Sequence, residues 1–244
     1  MSLGILSAMP QEINSVLNAM TQVELSTFGK RTFYKGILFD KPVVLAFSNW
    51  GKVAAATTAT QLINTFKVDK LIFTGVAGAL QTHLNIGDVI IGTHLYQHDM
   101  DARPLFKQFE IPIINKTKFY TDKILSQKLF KATTTFLSNL NNTLLQKDFN
   151  ILNSQVHKGG IASGDQFISS YDKIKVLNTN LPDVLCVEME GAAVAQVCYD
   201  YAVPFAIMRT ISDKAKDNAH IDFQLFAEKV ASIYALGILK NFLN

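Results

Sequence analysis

Short apolar segments alternate with helical patterns along the chain, and this alternation constrains the fold more than any other feature of the sequence. Strands are predicted at residues 3–8, 32–39, 42–48, 70–75, 88–96, 157–165, 183–189 and 204–213. Helices are predicted at residues 11–20, 51–66, 122–140, 190–201 and 222–242, with a polar connection at 141–153. Such alternation is typical of an α/β fold, in which helices cover both faces of a largely parallel central sheet.

The bulk properties of the 244 residues fit one such unit, so we expect a single domain over residues 1–244. A hydrophobic content of 48% with 18% charged residues excludes a disordered chain. The net charge of +3 is too small to predict nucleic-acid binding. The sequence shows no signal peptide and no apolar run long enough for a membrane helix, so we expect a cytoplasmic protein with no membrane partner.

Polar and small residues follow the predicted strands, where ligands bind in α/β sheets. They include several carboxylates, one arginine, a hydroxyl, an aromatic ring and glycine turns. The positions are Ala8, Met9 and Glu12, residues 75–78, residues 163–167, residues 188–190, and residues 209–213. An ionised carboxylate only accepts hydrogen bonds, so this set is suited to hydroxyl donors such as those of a sugar.

Each of these side chains also has a purely structural interpretation. Glu190 begins a predicted helix, so it either binds sugar hydroxyls, caps the helix or pairs with a core arginine. Arg209 and Asp213 could form a salt bridge, or Asp213 could act as a general acid. Glu12 could simply be an acid in the first turn of a helix. Local pattern leaves these alternatives open.

Three other motifs give weak signals. The segment "TGVAGAL" (74–80) lacks the spacing of a dinucleotide-binding loop. The segment "SNWGKVAAA" has Ala46 where a phosphate-binding loop needs its first glycine, so no such loop is predicted. The cluster His94, His98, Asp99 and Asp101 has no second cluster with matching spacing, so no metal site is expected.

Several motifs in a fixed order carry a family resemblance. They are "SAMPQE" (7–12), "GKVAAA" (51–56), "TGVAGAL" (74–80), "IGDVIIG" (86–92), "SGDQFI" (163–168), "VEMEGAAVA" (187–195) and "RTISDKA" (209–215). Together they resemble the 5′-methylthioadenosine/S-adenosylhomocysteine nucleosidases of the nucleoside phosphorylase family. The resemblance implies a three-layer α/β/α domain around a twisted mixed sheet, a homodimer, and hydrolysis of the N-glycosidic bond of adenosine derivatives without any cofactor.

The same resemblance assigns expected roles to individual residues. It makes Glu12 the acid that positions and deprotonates the attacking water, Asp213 the proton donor to purine N7, and Arg209 a neighbour of the water. It places Glu190 on the ribose hydroxyls and Phe167 against adenine. The remaining expected substrate-binding residues are Ala8, Met9, Trp50, Val76, Ala77, Gly78, Ile168, Met189, Ser212, Ala215 and Phe223.

Some positions depart from the family pattern or stay without a role. Val76 replaces a serine that often contacts the water, and Trp50 replaces a smaller aliphatic residue on the 5′ side. The resemblance places the segment 98–112, with Pro104 and Phe106 as candidates, near the partner's pocket in the dimer. Glu188 has no assigned role. Phosphorolysis, a catalytically silent nucleoside-binding module and aminodeoxyfutalosine hydrolysis are the alternative functions.

Overall fold

The computed structural model describes residues 2–140, 151, 153–214, 223 and 226–244, which form eleven strands and six α-helices. The strands are β1 (Leu3–Ser7), β2 (Thr21–Phe28), β3 (Arg31–Leu38), β4 (Lys41–Phe47), β5 (Lys70–Phe73), β6 (Val76–Ala79), β7 (Val89–Gln97), β8 (Phe119–Tyr120), β9 (Val156–Ser163), β10 (Val184–Glu188) and β11 (Phe205–Asp213). The helices are α1 (Asn14–Ala19), α2 (Lys52–Phe66), α3 (Lys123–Ser138), α4 (Tyr171–Asn180), α5 (Gly191–Asp200) and α6 (Ser232–Leu243). No helix in this part of the chain is both long and apolar enough to cross a lipid bilayer.

The strands form one sheet, and one end of that sheet closes on itself. The strand order is β2-β3-β4-β1-β5-β11-β6-β10-β9-β7-β8. A further pairing of β11 with β7 joins β11, β6, β10, β9 and β7 into a closed ring. Strand β11 therefore belongs both to the open part of the sheet and to the ring.

The two parts of the sheet contribute strands of opposite direction. Strands β1, β4, β5, β6 and β11 run one way, and β7, β9 and β10 run the other way. Val187 of β10 lies opposite Gly78 of β6. The end of β10 therefore lies beside the start of β6, which follows directly after the end of β5. Residues that follow β1, β5 and β10 are brought together at this point.

The α/β fold class and the mixed sheet are confirmed. Six of the eleven strand pairings in the described residues are parallel, so the sheet is less parallel than expected. Antiparallel pairings join β2 to β3, β3 to β4, β7 to β8, β10 to β6, and β11 to β7. The predicted hairpin is present between β3 and β4. Its turn residues Phe39 and Asp40 both have positive φ, at 47° and 59°, as tight hairpin turns require.

Several elements differ from the sequence-based expectation. Strands β2, β6 and β8 and helix α4 are not predicted from the sequence. The strand predicted at 70–75 ends at Phe73, and β6 begins at Val76, directly after Gly75. The predicted helix at 11–20 is broken at Ile13, where φ is −147°, into a 3-10 turn at Pro10–Glu12 and helix α1. The predicted helix at 222–242 is seen as a π-helical turn at Ala227–Ala231 followed by α6. Most of the predicted connection at 141–153 lies outside the described residues.

Apolar side chains of the described residues form two large cores on the two faces of the sheet and a third, smaller cluster that includes Ile174 and Leu177 of α4. Leu6 of β1 packs on one face with α2 and α5, which contribute Leu62 and Val194. Ile5 packs on the other face with α1, α3 and α6, which contribute residues such as Ile238. Successive strand residues point to opposite faces, so a buried strand must be apolar throughout. The result is the three-layer arrangement that the resemblance implies.

Candidate active site

A cavity opens where the ends of the strands meet. It is lined by Ala8, Met9, Glu12, Trp50, Val76, Ala77, Gly78, Gln166, Phe167, Ile168, Val187, Glu188, Met189, Glu190, Asp213 and Phe223. These residues come from segments that are far apart in sequence.

Glu12 is held at one wall of this cavity by four donors. Its Oε2 accepts hydrogen bonds from the Ser7 hydroxyl at 2.6 Å and from the N–H groups of Ala8 and Met9 at 3.0 and 2.9 Å. Its Oε1 accepts one from Val76 N–H at 3.0 Å. Burial raises the pKa of Glu12, against the opposing effects of the Ser7 hydrogen bond, the charge of Arg209 and the N–H donors. The carboxyl is thus fixed in orientation.

Arg209 lies behind this wall and pairs with Glu188. The Nη2–Oε2 distance is 2.7 Å, and both side chains are almost completely buried. Glu188 also accepts hydrogen bonds from Ser163 Oγ and from the N–H groups of Glu190 and Gly191. Glu188 therefore holds the arginine and the start of α5 at the same time.

Glu190 occupies the N-terminal position of α5, but its side chain caps no helical N–H. Its Oε1 instead accepts a hydrogen bond from Gly51 N–H at 2.8 Å, and the carboxyl lines the cavity. Burial, together with the charge of Glu188, raises the pKa of Glu190 to about 8. Of the structural interpretations, helix capping is therefore wrong for this side chain.

Asp213 reaches the cavity because β11 contains a bulge. Ile211 lies opposite Ala77 while Asp213 lies opposite Gly78, so Ser212 is an extra residue in β11. A bulge of this kind re-aims the side chains that follow it. Ser212 is buried and its hydroxyl donates to Asp213 Oδ2 at 2.8 Å. The bulge and this hydrogen bond together orient the carboxyl.

Aromatic and thioether side chains form the outer part of the cavity. Phe223 makes edge-to-face contacts with Trp50 and Phe167, with ring centroids 6.0 and 5.9 Å apart. These three rings, with Met9 and Met189, also line an adjoining outer chamber that opens past Gln11 and Glu228. The inner cavity is thus rich in carboxyls, and its mouth is apolar.

The structure brings most of the predicted site residues together around this one cavity. The residues that line it are Glu12, Asp213, Ala8, Met9, Trp50, Val76, Ala77, Gly78, Phe167, Ile168, Met189, Glu190 and Phe223. Arg209 and Ser212 do not line it; both are buried behind it. Ala215 lies outside the described residues.

Three lining residues had no predicted role. Gln166 stands beside Phe167 in the "SGDQFI" motif, which was a usable signal. Glu188 is among the residues that follow a predicted strand, but its partner Arg209 lies 21 residues further along the chain, so the pairing has no local signal. Val187 lies in an apolar strand segment and carries no signal of a site.

The histidines and aspartates of residues 94–101 do not form a metal site. His94 contacts Asp183 at 3.0 Å, whereas Asp99 binds Lys52 at 2.6 Å. Across the part of the chain that the structure describes, no three His, Cys, Asp or Glu side chains are grouped so that they could hold a metal ion. Pro104 and Phe106 do not line the cavity of their own chain, so their placement near a partner's pocket stays a prediction.

Comparisons with known proteins agree with this geometry. The family model described as "Phosphorylase superfamily" matches residues 2–244. The 5′-methylthioadenosine/S-adenosylhomocysteine nucleosidase of Staphylococcus aureus (strain bovine RF122 / ET3-1) is 38% identical over 94% of this chain and 93% of its own length. The Neisseria meningitidis nucleosidase in complex with methylthio-immucillin-A has a TM-score of 0.88 at 33% identity, over 99% of this chain and 98% of that one. The futalosine hydrolase of Helicobacter pylori strain 26695 has a TM-score of 0.85 at 32% identity, over 100% and 97% of the two chains.

Proposed function

The chain belongs to the phosphorylase superfamily, and we propose that it is a nucleosidase that hydrolyses the N-glycosidic bond of 5′-methylthioadenosine and S-adenosylhomocysteine. The products are adenine and the 5-thio-substituted ribose. One observation carries this proposal: the carboxyls of Glu12, Asp213 and Glu190 and the ring of Phe167 line the same cavity. In this proposal Glu190 binds the ribose, Glu12 binds the water, and Asp213 and Phe167 both bind the purine.

Glu12 serves as the general base. Hydrolysis passes through an oxocarbenium-like transition state, and water attacks the sugar carbon as the purine departs. Glu12 must be ionised to take a proton from that water. The charge of Arg209 and the donors on both Glu12 oxygens favour the ionised form, although burial opposes it. Arg209 acts here as a positioning residue, since it lies behind the cavity wall.

Asp213 serves as the general acid toward the purine. The departing base gathers negative charge, and a proton delivered to N7 lowers the barrier; one positioned acid or base contributes roughly 10²–10⁴-fold. Asp213 lies at the end of β11, where the bulge and the Ser212 hydroxyl fix its direction. Two carboxyls in different surroundings can divide the acid and base roles between them.

The other lining residues bind and orient the nucleoside. Oε1 of Glu190 is bound by Gly51 N–H, and the carboxyl faces the cavity, where it binds the ribose hydroxyls. Phe167 stacks on adenine, and the backbone of Ile168 bonds the edge of the base. Met189 lies beneath the ribose, and Phe223 faces the 5′ substituent. Val76 offers the water no hydroxyl, so Glu12 alone holds it from that side.

Water is favoured over phosphate as the attacking group by the charges of the cavity. A phosphate dianion is bound by Arg or Lys side chains in most sites. None of the described residues that line the cavity is Arg or Lys, and four of them are Glu or Asp. Phosphorolysis would therefore place an anion among carboxyls.

Product analysis tests the proposal. The purified protein is incubated with 5′-methylthioadenosine, S-adenosylhomocysteine and a futalosine-type nucleoside, each with and without phosphate, and adenine release is followed. We expect adenine and free methylthioribose at a rate independent of phosphate. A sugar 1-phosphate formed only with phosphate would establish phosphorolysis. Ligand binding without any adenine release would establish a silent binding module.

We further propose that the active form is a cytoplasmic homodimer of single-domain subunits, with residues 98–112 near the partner's pocket. Large apolar side chains on and beside this segment support the proposal, because Leu105 is 84% exposed and Ile113 is 87% exposed. Exposed apolar surface of this kind commonly marks an interface. Light scattering on the purified protein gives the subunit number, and Leu105→Glu is expected to favour the monomer.

A further inference from the structure

Asp99 joins two loops that form opposite sides of the candidate active site. The first loop is residues 50–52, which lead into α2, and the second is residues 164–168, which follow β9. It lies two residues beyond the end of β7 and does not line the cavity. Its Oδ1 accepts a hydrogen bond from Lys52 Nζ at 2.6 Å, and its Oδ2 accepts one from Asp165 N–H at 2.9 Å. The side chains of Asp99 and Lys52 are each only 16% exposed. Each carboxylate oxygen therefore binds a different loop.

The first of these loops contacts the residue that holds the sugar. Gly51, which has φ of 92°, donates its N–H to Glu190 Oε1 at 2.8 Å, and Lys52 is the next residue. The N–H of Lys52 donates to Asp165 Oδ1 at 2.8 Å. A shift of Lys52 would therefore move both Gly51 and Trp50.

The second loop carries the residues proposed to bind the base. Asp165 directly precedes Gln166, Phe167 and Ile168, which all line the cavity. Its side chain and its N–H are both engaged, the first with Lys52 N–H and the second with Asp99. The two loops are thus joined to each other and to Asp99.

We infer that Asp99 and Lys52 are positioning residues, which fix the distance between the sugar-binding and base-binding sides of the cavity. A half-buried pair with two further hydrogen bonds is a better restraint than an exposed ion pair, which contributes little. Lys52 is additionally held by Gln97 Oε1 at 3.2 Å. Misplacement by about 1 Å can cost about 10²-fold in rate.

The test compares Asp99→Asn and Lys52→Met with Glu24→Gln, which breaks an exposed ion pair with Lys35 that does not line the cavity. Trp50 is the single tryptophan and lies in the first loop, so its fluorescence reports loop position independently of activity. We expect both variants to lose about 10–100-fold in kcat/KM and to show more acrylamide quenching of Trp50, with a Tm close to that of the control. Lys52→Arg, which keeps the positive charge, should retain part of the activity that Lys52→Met loses.

This inference rests on the proposed function for its kinetic part only. If the wild-type protein releases no adenine, the proposed function fails, and the quenching of Trp50 still tests the restraint. Unchanged quenching in both variants would overturn the inference. Increased quenching of Trp50 with an unchanged kcat/KM would also overturn it. So would a loss of kcat/KM that is accompanied by a lowered Tm.

Discussion

Arg209 and Glu188 form an ion pair of 2.7 Å in which the two side chains are 1% and 4% exposed. The guanidinium also lies 4.0 Å above the ring of Phe73. Such a pair is costly to break from one side, because the remaining charge stays buried without a counter-charge. Glu188 lines the cavity of the candidate active site and Arg209 lies behind its wall, so the pair connects stability to catalysis.

Glu188→Gln tests this connection. The change keeps the size of the side chain but removes the carboxylate that pairs directly with the buried Arg209, so we expect a loss of about 3–5 kcal/mol in the free energy of unfolding. Urea denaturation measures the loss. Glu24→Gln, which removes the exposed partner of Lys35, is the control and should cost less than about 1 kcal/mol. Equal losses in the two variants would contradict the buried-pair account.

Asp213→Asn should lower turnover by about 10²–10⁴-fold while the Tm is kept, because the acid is removed and the shape is preserved. Adenine release measures the rate. A nitrophenyl 5-methylthioriboside needs no proton on its leaving group, so its hydrolysis should fall far less. The exposed variant Asp172→Asn is the control. Similar losses on both substrates would exclude Asp213 as the acid.

Gly75→Ala should inactivate the protein by steric displacement. A Cβ at this position would lie 2.8 Å from Glu12 Oε1 and 3.3 Å from Arg209 Nη1, so the Glu12 carboxyl must move. We expect a loss of about 10²-fold in kcat. Gly4→Ala is the control: its Cβ would meet Val68 Cγ2 at 3.2 Å and no residue of the cavity, so kcat should be unchanged. A normal kcat in Gly75→Ala would show that the position of Glu12 is not critical.

Glu190 should make the stability of the ligand-free protein depend on pH. Its pKa is raised to about 8 in the folded state, compared with about 4.3 in an unfolded chain. The protonated carboxyl therefore favours the folded state fully below the lower value, and this contribution is lost as pH rises through the higher value. Relative to Glu190→Gln, the free energy of unfolding of the wild-type protein should fall between pH 5 and pH 8.

Urea denaturation of both proteins at the two pH values measures this difference. Glu228→Gln, at the exposed rim of the outer chamber, is the control and should follow the wild-type protein. An identical pH dependence in wild type and Glu190→Gln would mean that the Glu190 carboxyl ionises normally in the folded state.

The sequence predicted the fold class and the edge of the sheet where ligands bind, because both follow from apolar periodicity and short-range turns. It did not predict the antiparallel contact of β10 with β6, since strand pairing depends on the whole topology. The bulge at Ser212 is likewise a property of two paired strands. Long-range contacts such as Gly51 with Glu190, which are 139 residues apart, leave no local pattern. The sequence motifs identify the candidate site residues, whereas the tertiary structure determines how their side chains are oriented.

Strand β11 carries Arg209, which lies behind Glu12, and, four residues later, Asp213, which lines the cavity. At about 3.3 Å per residue, this stretch spans roughly 13 Å, slightly less with the bulge. A strand that is paired on both sides keeps its length, so the distance between Arg209 and Asp213 is fixed. In the proposed function, the purine side of the cavity therefore has a fixed size, while the outer chamber has room for 5′ substituents of different length.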